Sequence, residues 1–245
     1  MGYWVVVAMV LVAVVAVVLV VLAEGDARAA NSSATSDIPL VVLIGSSAAV
    51  EAGAASPRPW TERVRQKLGT NAEVYDATVP AARASHFDGA ELLAVFHRTP
   101  ALAVIWLGAD DFLLGTDLGT FERSVGHLLA TFAAHRVSLL AIALPDLVPP
   151  TAQGESTDEE LVLARAELRR WNATLARLAT AHQARLISSA EVPSGSLAPE
   201  TAPAKQTQGF VLTEAGHEAM ASVVTAVILE QLAFSVAETT HPPRA

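Results

Sequence analysis

Gly45-Ser46-Ser47 is the first group of residues whose types suggest chemistry. It follows a continuous apolar run, Leu40 to Ile44, which is typical of a strand buried on both faces and followed by a turn. A serine in such a turn stands at the carboxyl edge of a parallel sheet, where its hydroxyl faces a crevice. The chain has no cysteine, which excludes disulfides, thiolate metal sites and a cysteine nucleophile. Any nucleophile must therefore be oxygen or nitrogen.

Three further segments carry polar residues at positions where a predicted strand or loop ends. They are VYDATVPAARAS from Val74 to Ser85, VIWLGADD from Val104 to Asp111, and QGFVLTEAGH from Gln208 to His217. The first two follow predicted strands, and the third leads into the predicted last helix. Open α/β sheets place their sites in loops of this kind.

Together the four segments resemble the SGNH (GDSL-type) hydrolases. In that family a strand ends in Gly-Asp-Ser, whose serine is the acylated nucleophile; Ser47 matches this serine, and Ser46 stands where the family usually has Asp. The resemblance implies a single flavodoxin-like three-layer α/β domain with about five parallel strands, the SGNH hydrolase fold. It also implies serine esterase or acyl hydrolase chemistry for members with a complete site.

Two of the segments match the family's oxyanion-hole motifs with altered residues. In Asn-x-x-x-x-Gly, Asp76 takes the Asn position and Ala81 takes the Gly, whose backbone N–H is the donor. Alanine suits that position only if the backbone does not require a positive φ. In Gly-x-Asn-Asp, Asp110 takes the Asn position, and an ionised carboxylate accepts hydrogen bonds but donates none. Its charge would oppose an oxyanion.

The last segment matches the family's Asp-x-x-His motif, which supplies the acid and the base. Aligning Gly216-His217 with the family's Gly-His places Gln208 at the Asp and Val211 at the His. Losing the base of a Ser-His-Asp triad lowers kcat by about 10⁴ to 10⁶-fold in analogous enzymes. The resemblance thus predicts a degenerate, catalytically impaired member, a pseudoenzyme.

A relocated base is the alternative. Glu214 and His217 have an acid-x-x-base spacing of their own, and His86 follows Ala81 closely enough to reach the crevice from a neighbouring loop. Either would leave an active esterase that uses Ser47. No two histidines have a spacing that indicates a metal site, and we expect no cofactor.

Strand and helix patterns alternate along the chain, which predicts a parallel, doubly wound sheet with helices on both faces. Five apolar runs predict the strands: Leu40 to Ile44, Ala72 to Tyr75, Ala101 to Leu107, Val137 to Leu144 and Ala184 to Ile187. Apolar residues at helical spacing predict helices over Asp117 to His135, Asp158 to His182 and Thr213 to Phe234, with Thr213 as the N-cap. We expect the strand order 2-1-3-4-5, which brings Ser47, Ala81 and Asp110 together.

The N-terminus is a candidate membrane anchor. Gly2 to Ala23 has no charged residue and is long enough to cross a bilayer as a helix. We expect a transmembrane helix in 1–23, a flexible linker in 24–37, the domain in 38–236 and a disordered tail in 237–245. A cleaved signal peptide, which would make the protein secreted, is the alternative.

The formal charge of −9 and the absence of a Lys/Arg cluster argue against nucleic acid as a partner. The excess of Arg over Lys and the abundant Ala and Val indicate a GC-rich bacterial genome. We expect a single-pass protein of the cell membrane with its domain outside the cytoplasm, acting as a binding or accessory module for an acylated or glycan ligand of the envelope. A structural ectodomain of a membrane complex is a further alternative.

Overall fold

The computed structural model describes residues 38–46, 49–50, 58–87, 89–147, 157–188, 190–191 and 211–240, without the side chains of 49–50 and 235–240. Ser47 and Gln208 lie outside these ranges, as do the predicted span Gly2 to Ala23 and the linker. Among the described residues, no helix is long and apolar enough to cross a membrane.

Seven strands are present in the described residues. They are β1 (Leu40–Ser46), β2 (Ala49–Val50), β3 (Glu73–Val79), β4 (Leu102–Trp106), β5 (Ser138–Ile142), β6 (Arg185–Ile187) and β7 (Val211–Leu212). The five longer ones form one parallel sheet in the order β3-β1-β4-β5-β6, and β2 pairs with β7 in a separate two-stranded ladder. The predicted order 2-1-3-4-5 is therefore confirmed.

Six helices cover the sheet within the described part of the chain. They are α1 (Trp60–Leu68), α2 (Ala90–Phe96), α3 (Ala109–Leu113), α4 (Leu118–Ala134), α5 (Asp158–Ala181) and α6 (Glu214–Thr240), and a 3₁₀ turn spans Ala84–His86. Ring contacts join α2 to α4 and α4 to α5, whereas ion pairs join α1 to α6. Right-handed crossovers between parallel strands place these two groups on opposite faces of the sheet.

The central strands are apolar because both of their faces are covered. Val41 to Ile44 of β1 and Leu102 to Val104 of β4 are completely buried, so neither strand alternates apolar with polar residues. Strand β3 lies at the sheet edge, is only partly buried and tolerates Asp76 and Thr78. This explains why the apolar run predicted only its first part.

The last helix differs from its prediction at one end. Thr213 is its N-cap, as predicted, because its Oγ1 accepts the Gly216 N–H at 2.9 Å. The helix continues to Thr240, six residues past the predicted end at Phe234, so a disordered tail cannot begin at residue 237. No glycine or proline follows Phe234 until Pro242, and nothing local ends the helix sooner.

Candidate functional site

The exit of β1 has room for no side chain at Gly45. Gly45 has φ +124° and pairs with Trp106 of β4, and a Cβ at this position would lie 2.0 Å from the Trp106 carbonyl oxygen. Only glycine permits such an approach between two backbones. Ser46, which follows, is buried, so the segment leading to Ser47 is fixed by the core.

The exit of β3 has the backbone conformation that favours glycine, yet the residue is Ala81. Its φ is +54°, in the left-handed region, where a Cβ costs roughly 1 kcal/mol. The condition under which alanine would suit this position, a negative φ, is therefore not met. Asp76, at the family's Asn position, uses Oδ1 to accept the backbone N–H and hydroxyl of Thr78 at 3.0 and 2.6 Å.

The exit of β4 also depends on a glycine. Gly108 has φ +109°, and a Cβ there would lie 2.8 Å from the Phe121 ring. This turn starts the short helix α3 and buries both Asp110 and Asp111. Asp110 is completely buried, so a carboxyl group replaces the family's amide donor inside the protein.

Asp111 connects two of the strand exits. Its Oδ2 accepts the backbone N–H of Ala84 at 2.9 Å, which joins the β4 exit to the 3₁₀ turn after β3. Burial raises the pKa of the Asp111 carboxyl above its ordinary value, and the hydrogen bond from Ala84 opposes that shift. Asp111 is the final Asp of the family's Gly-x-Asn-Asp, and no sequence signal indicated this structural role.

The ladder between β2 and β7 places Val211 beside the nucleophile segment. Val211 pairs with Ala49 and Leu212 with Val50, in parallel register. Ala49 is two residues after Ser47, so the family's His position lies next to the segment that begins at the serine. Val211 is 8% exposed and apolar. It can neither accept a proton from a serine nor return one to a leaving group.

His217 is completely buried at the start of α6, with its ring committed to a structural bond. Its Nδ1 accepts the backbone N–H of Trp60, the first residue of α1, at 3.0 Å. A neutral imidazole that accepts at Nδ1 carries its proton on Nε2. A triad base requires the opposite tautomer, with Nδ1–H donating to an acid. The carboxylate of Glu214, its proposed acid, lies 3.8 Å from Arg63.

His86 has a similar local role at the surface. Its Nδ1 accepts the backbone N–H of Arg83 at 2.9 Å, which caps the 3₁₀ turn to which it belongs. The imidazole is exposed, and this bond again places the proton of the neutral ring on Nε2.

The described residues contain no group of three or more His, Asp and Glu side chains that could hold a metal ion. His97, His135 and His182 each end a helix, and His127 lies within α4. A solvated or helix-dipole role explains the three at helix ends.

These features define a flavodoxin-like α/β domain whose candidate site lies at the carboxyl ends of its first three long strands. The family model described as GDSL-like lipase/acylhydrolase matches residues 43–219. The chain belongs to this family.

Solved structures show the same fold. A lipase/acylhydrolase from Enterococcus faecalis superposes with a TM-score of 0.54 at 17% identity, covering 79% of this chain and 96% of that one. The esterase EstA from Pseudoalteromonas sp., whose structure is inhibited by monoethylphosphonate, gives 0.56 at 12% identity, with 79% and 98% covered. An acetyl xylan esterase gives 0.53 at 14% identity, with 77% and 99% covered. No curated protein matches the sequence.

Proposed function

We propose that this chain is a membrane-anchored GDSL-family domain that binds an acylated or glycan ligand of the cell envelope without hydrolysing it. The observation that carries the proposal is the register of β7, which puts Val211 opposite Ala49, two residues from Ser47. A base would have to occupy this position, and the side chain of Val211 is aliphatic. Ser47 then has no base at that position to take its proton.

The residues at the oxyanion-hole positions also disfavour hydrolysis. Asp110 is buried at the position of an amide donor, and in its ionised form it would disfavour a developing negative charge. The left-handed backbone at Ala81 keeps the geometry for an N–H donor, but one donor opposite a carboxylate gives little net stabilisation. Both the proton transfer and the charge stabilisation of ester hydrolysis are therefore weakened.

The hydrogen bonds of His217 and His86 disfavour the alternative of a relocated base. His217 would have to break its bond to Trp60 and change tautomer, and α1 would then lose the acceptor at its first N–H. His86 would have to leave its own turn. We therefore rank an active esterase below a binding module.

The ligand class rests on the family, whose model is described as GDSL-like lipase/acylhydrolase. One structural neighbour is named an acetyl xylan esterase, so the fold can accommodate an acylated glycan. The uncharged run from Gly2 to Ala23 would hold the domain at the outer face of the membrane.

The activity test compares the full chain with Ser47→Ala and His217→Ala on one series of short activated esters. We expect the same kcat/KM, at background, for the parent and for Ser47→Ala. A parent rate well above background that both substitutions abolish would establish the relocated triad. A rate lost only in Ser47→Ala would indicate His86 or another base.

The binding test uses acetylated and deacetylated xylo-oligosaccharides as probes in calorimetric titrations. We expect binding that weakens in Ser47→Trp, which would fill the predicted crevice, with Asp117→Ala as the control because that carboxylate caps α4 at the surface. Absence of binding to either probe would favour the structural ectodomain instead.

A further inference from the structure

The first part of α5 extends past the carboxyl edge of the sheet. Because α5 connects the parallel strands β5 and β6, it runs against them and begins at that edge. Leu144, two residues beyond the end of β5, makes two hydrogen bonds to the Asn172 side chain through its backbone N–H and carbonyl, at 2.8 and 3.1 Å. Asn172 is therefore level with the strand ends. The helix starts at Asp158, so about 20 Å of it lies beyond the edge at ~1.5 Å per residue. We call residues 158–170 the α5 arm.

The neighbouring helix α4 begins beside the part of α5 that follows the arm. Phe121, in the first turn of α4, stacks on the Trp171 ring with the ring centroids 4.6 Å apart. The next residue, Glu122, pairs with Arg177 at 2.6 Å. Both contacts lie after the α5 arm along the helix. The first turn of α4 therefore supports the second half of α5 and leaves the arm to project.

The α5 arm has apolar residues on its outward side as well as its inward side. Leu161 and Leu168, which face inward, are buried. Val162 is 61% exposed and Leu163 is 63% exposed, which makes this neighbouring pair among the most exposed large apolar side chains of the described residues. The described part of the domain thus leaves an apolar surface uncovered on the arm.

One row of residues along the outward side of the arm is complementary to itself. Glu159, Val162, Ala166 and Arg169 follow one another at intervals of three, four and three residues, which aligns them on one face of a helix. The row has an acid at one end, a base at the other and apolar side chains between them. Glu159 and Arg169 are exposed, and neither makes an ion pair with a described residue. A second copy of the row, turned end for end, therefore matches the first in charge and in apolar character.

We propose that the α5 arm pairs with the α5 arm of a second copy of this chain, antiparallel and about a two-fold axis. In this arrangement Val162 of each copy packs on Ala166 of the other, and Glu159 faces Arg169 at both ends of the contact. Ala166 is small, which lets the two helix axes approach to ~8–10 Å. The ion pairs stay exposed and contribute modestly, so burial of Val162 and Leu163 supplies most of the attraction. A contact of about three helical turns is smaller than a standard interface of ~1,600 Å², and we expect self-association in the micromolar range.

The pairing sets the carboxyl edges of the two copies face to face. Each arm projects from the carboxyl edge of its own domain, so antiparallel arms overlap in the space between the two domains. The candidate site of each copy lies at that edge and opens toward the same space, with the paired arms along one side. A ligand then reaches either site from between the copies.

Disulfide formation between single cysteines measures the pairing, because the chain has no cysteine of its own. Leu163 lies close to the proposed two-fold axis, and Leu163→Cys is compared with Leu93→Cys, whose parent side chain is 61% exposed on α2. Full-length protein in mild detergent is oxidised at micromolar concentration, and covalent dimer is followed on non-reducing gels. We expect dimer to form several-fold faster at position 163 than at position 93.

Charge reversal tests the antiparallel register. In the Leu163→Cys chain, Glu159→Arg and Arg169→Glu should each slow cross-linking several-fold, because like charges then face each other at both ends of the contact. Mixing the two variants should restore the rate, since the mixed pair has Arg opposite Glu at both ends. Glu91→Arg, a charge reversal at an exposed position on α2, is the control and should leave the rate unchanged.

Two results would overturn the proposal. Equal rates of cross-linking at positions 163 and 93 exclude self-pairing through the α5 arm and leave its apolar surface to a different protein. Faster cross-linking at position 163 that the charge reversals do not change, or that mixing does not restore, excludes the antiparallel pairing of Glu159 with Arg169.

Discussion

The family's glycines are present at the exits of β1 and β4, whereas its histidine is absent from the β2–β7 ladder. At the two exits, Gly45 and Gly108 occupy positions where a Cβ would collide with backbone or with a packed ring. At the ladder, the backbone register is in place, but the residue beside the serine segment is Val211. Close packing requires the glycines of the first region, whereas proton transfer would require a base in the second. The site thus keeps two glycines that shape it, whereas the family's histidine position, beside the serine segment, has an apolar residue.

The largest loss of stability is expected at Gly45, where only glycine avoids a steric collision. Gly45→Ala would put a methyl group 2.0 Å from the Trp106 carbonyl oxygen, which forces two central strands apart. We expect a loss of about 4 kcal/mol or more in the free energy of unfolding, or no folded protein. Gly115→Ala is the control: its φ of +72° is also positive, but no atom lies within 4 Å of the new methyl, so about 1 kcal/mol is expected. Denaturant melts compare the two, and equal losses would contradict the steric account.

His217 should behave as a structural residue. His217→Ala removes the acceptor for the Trp60 N–H and opens a buried cavity, and we expect a loss of about 3 kcal/mol. His86→Ala removes an equivalent bond at an exposed turn and should cost under about 1 kcal/mol. Urea unfolding of both variants decides the matter. A destabilisation no larger for His217 than for His86 would leave a catalytic role open.

Ala81→Gly should stabilise the protein, because the native φ of +54° suits glycine. We expect a gain of about 0.5–1 kcal/mol. Ala133→Gly, at an exposed helical position in α4, should lose a similar amount and serves as the control for the added chain entropy of glycine. Thermal melts of the two variants should therefore move in opposite directions. A loss in both would mean that the left-handed turn is absent in solution.

Asp111 gives the smallest expected effect, a dependence of stability on pH. Its pKa is raised in the folded protein, so folding binds a proton between the unfolded and folded pKa values and stability falls as pH rises through that window. The stability of the parent relative to Asp111→Asn should therefore increase as pH is lowered from neutral toward the ordinary carboxyl pKa. Tm values of both proteins across that range test this. A difference that does not change with pH would show that burial does not disfavour the ionised form.

The fold could be predicted because its signals are local. The apolar runs of β1 and β4 and the helical stripe of α4 reflect burial that each segment shows by itself. The strand order came from the resemblance together with the switch-point rule, and the sheet confirms it. The family match over 43–219 confirms the resemblance to the GDSL-type family.

The site was harder to predict because its contacts join distant parts of the chain. The hydrogen bond between His217 and Trp60 joins residues 157 positions apart, and no local sequence pattern at either residue predicts it. The β2–β7 ladder has two residues in each strand, too few for any periodic pattern. The positive φ at Ala81 could not be predicted from its residue type, because alanine rarely adopts this conformation.

The central claim is that the family's site geometry persists here without its proton-transfer and oxyanion groups. The most direct test restores those groups in one chain, as Gln208→Asp, Val211→His and Asp110→Asn, and measures kcat/KM on short activated esters. If Val211 stands beside the serine segment, the restored chain should hydrolyse esters at least about 100-fold faster than the parent, and adding Ser47→Ala should return it to background. A folded, restored chain that stays at background, or whose activity survives Ser47→Ala, would contradict the account.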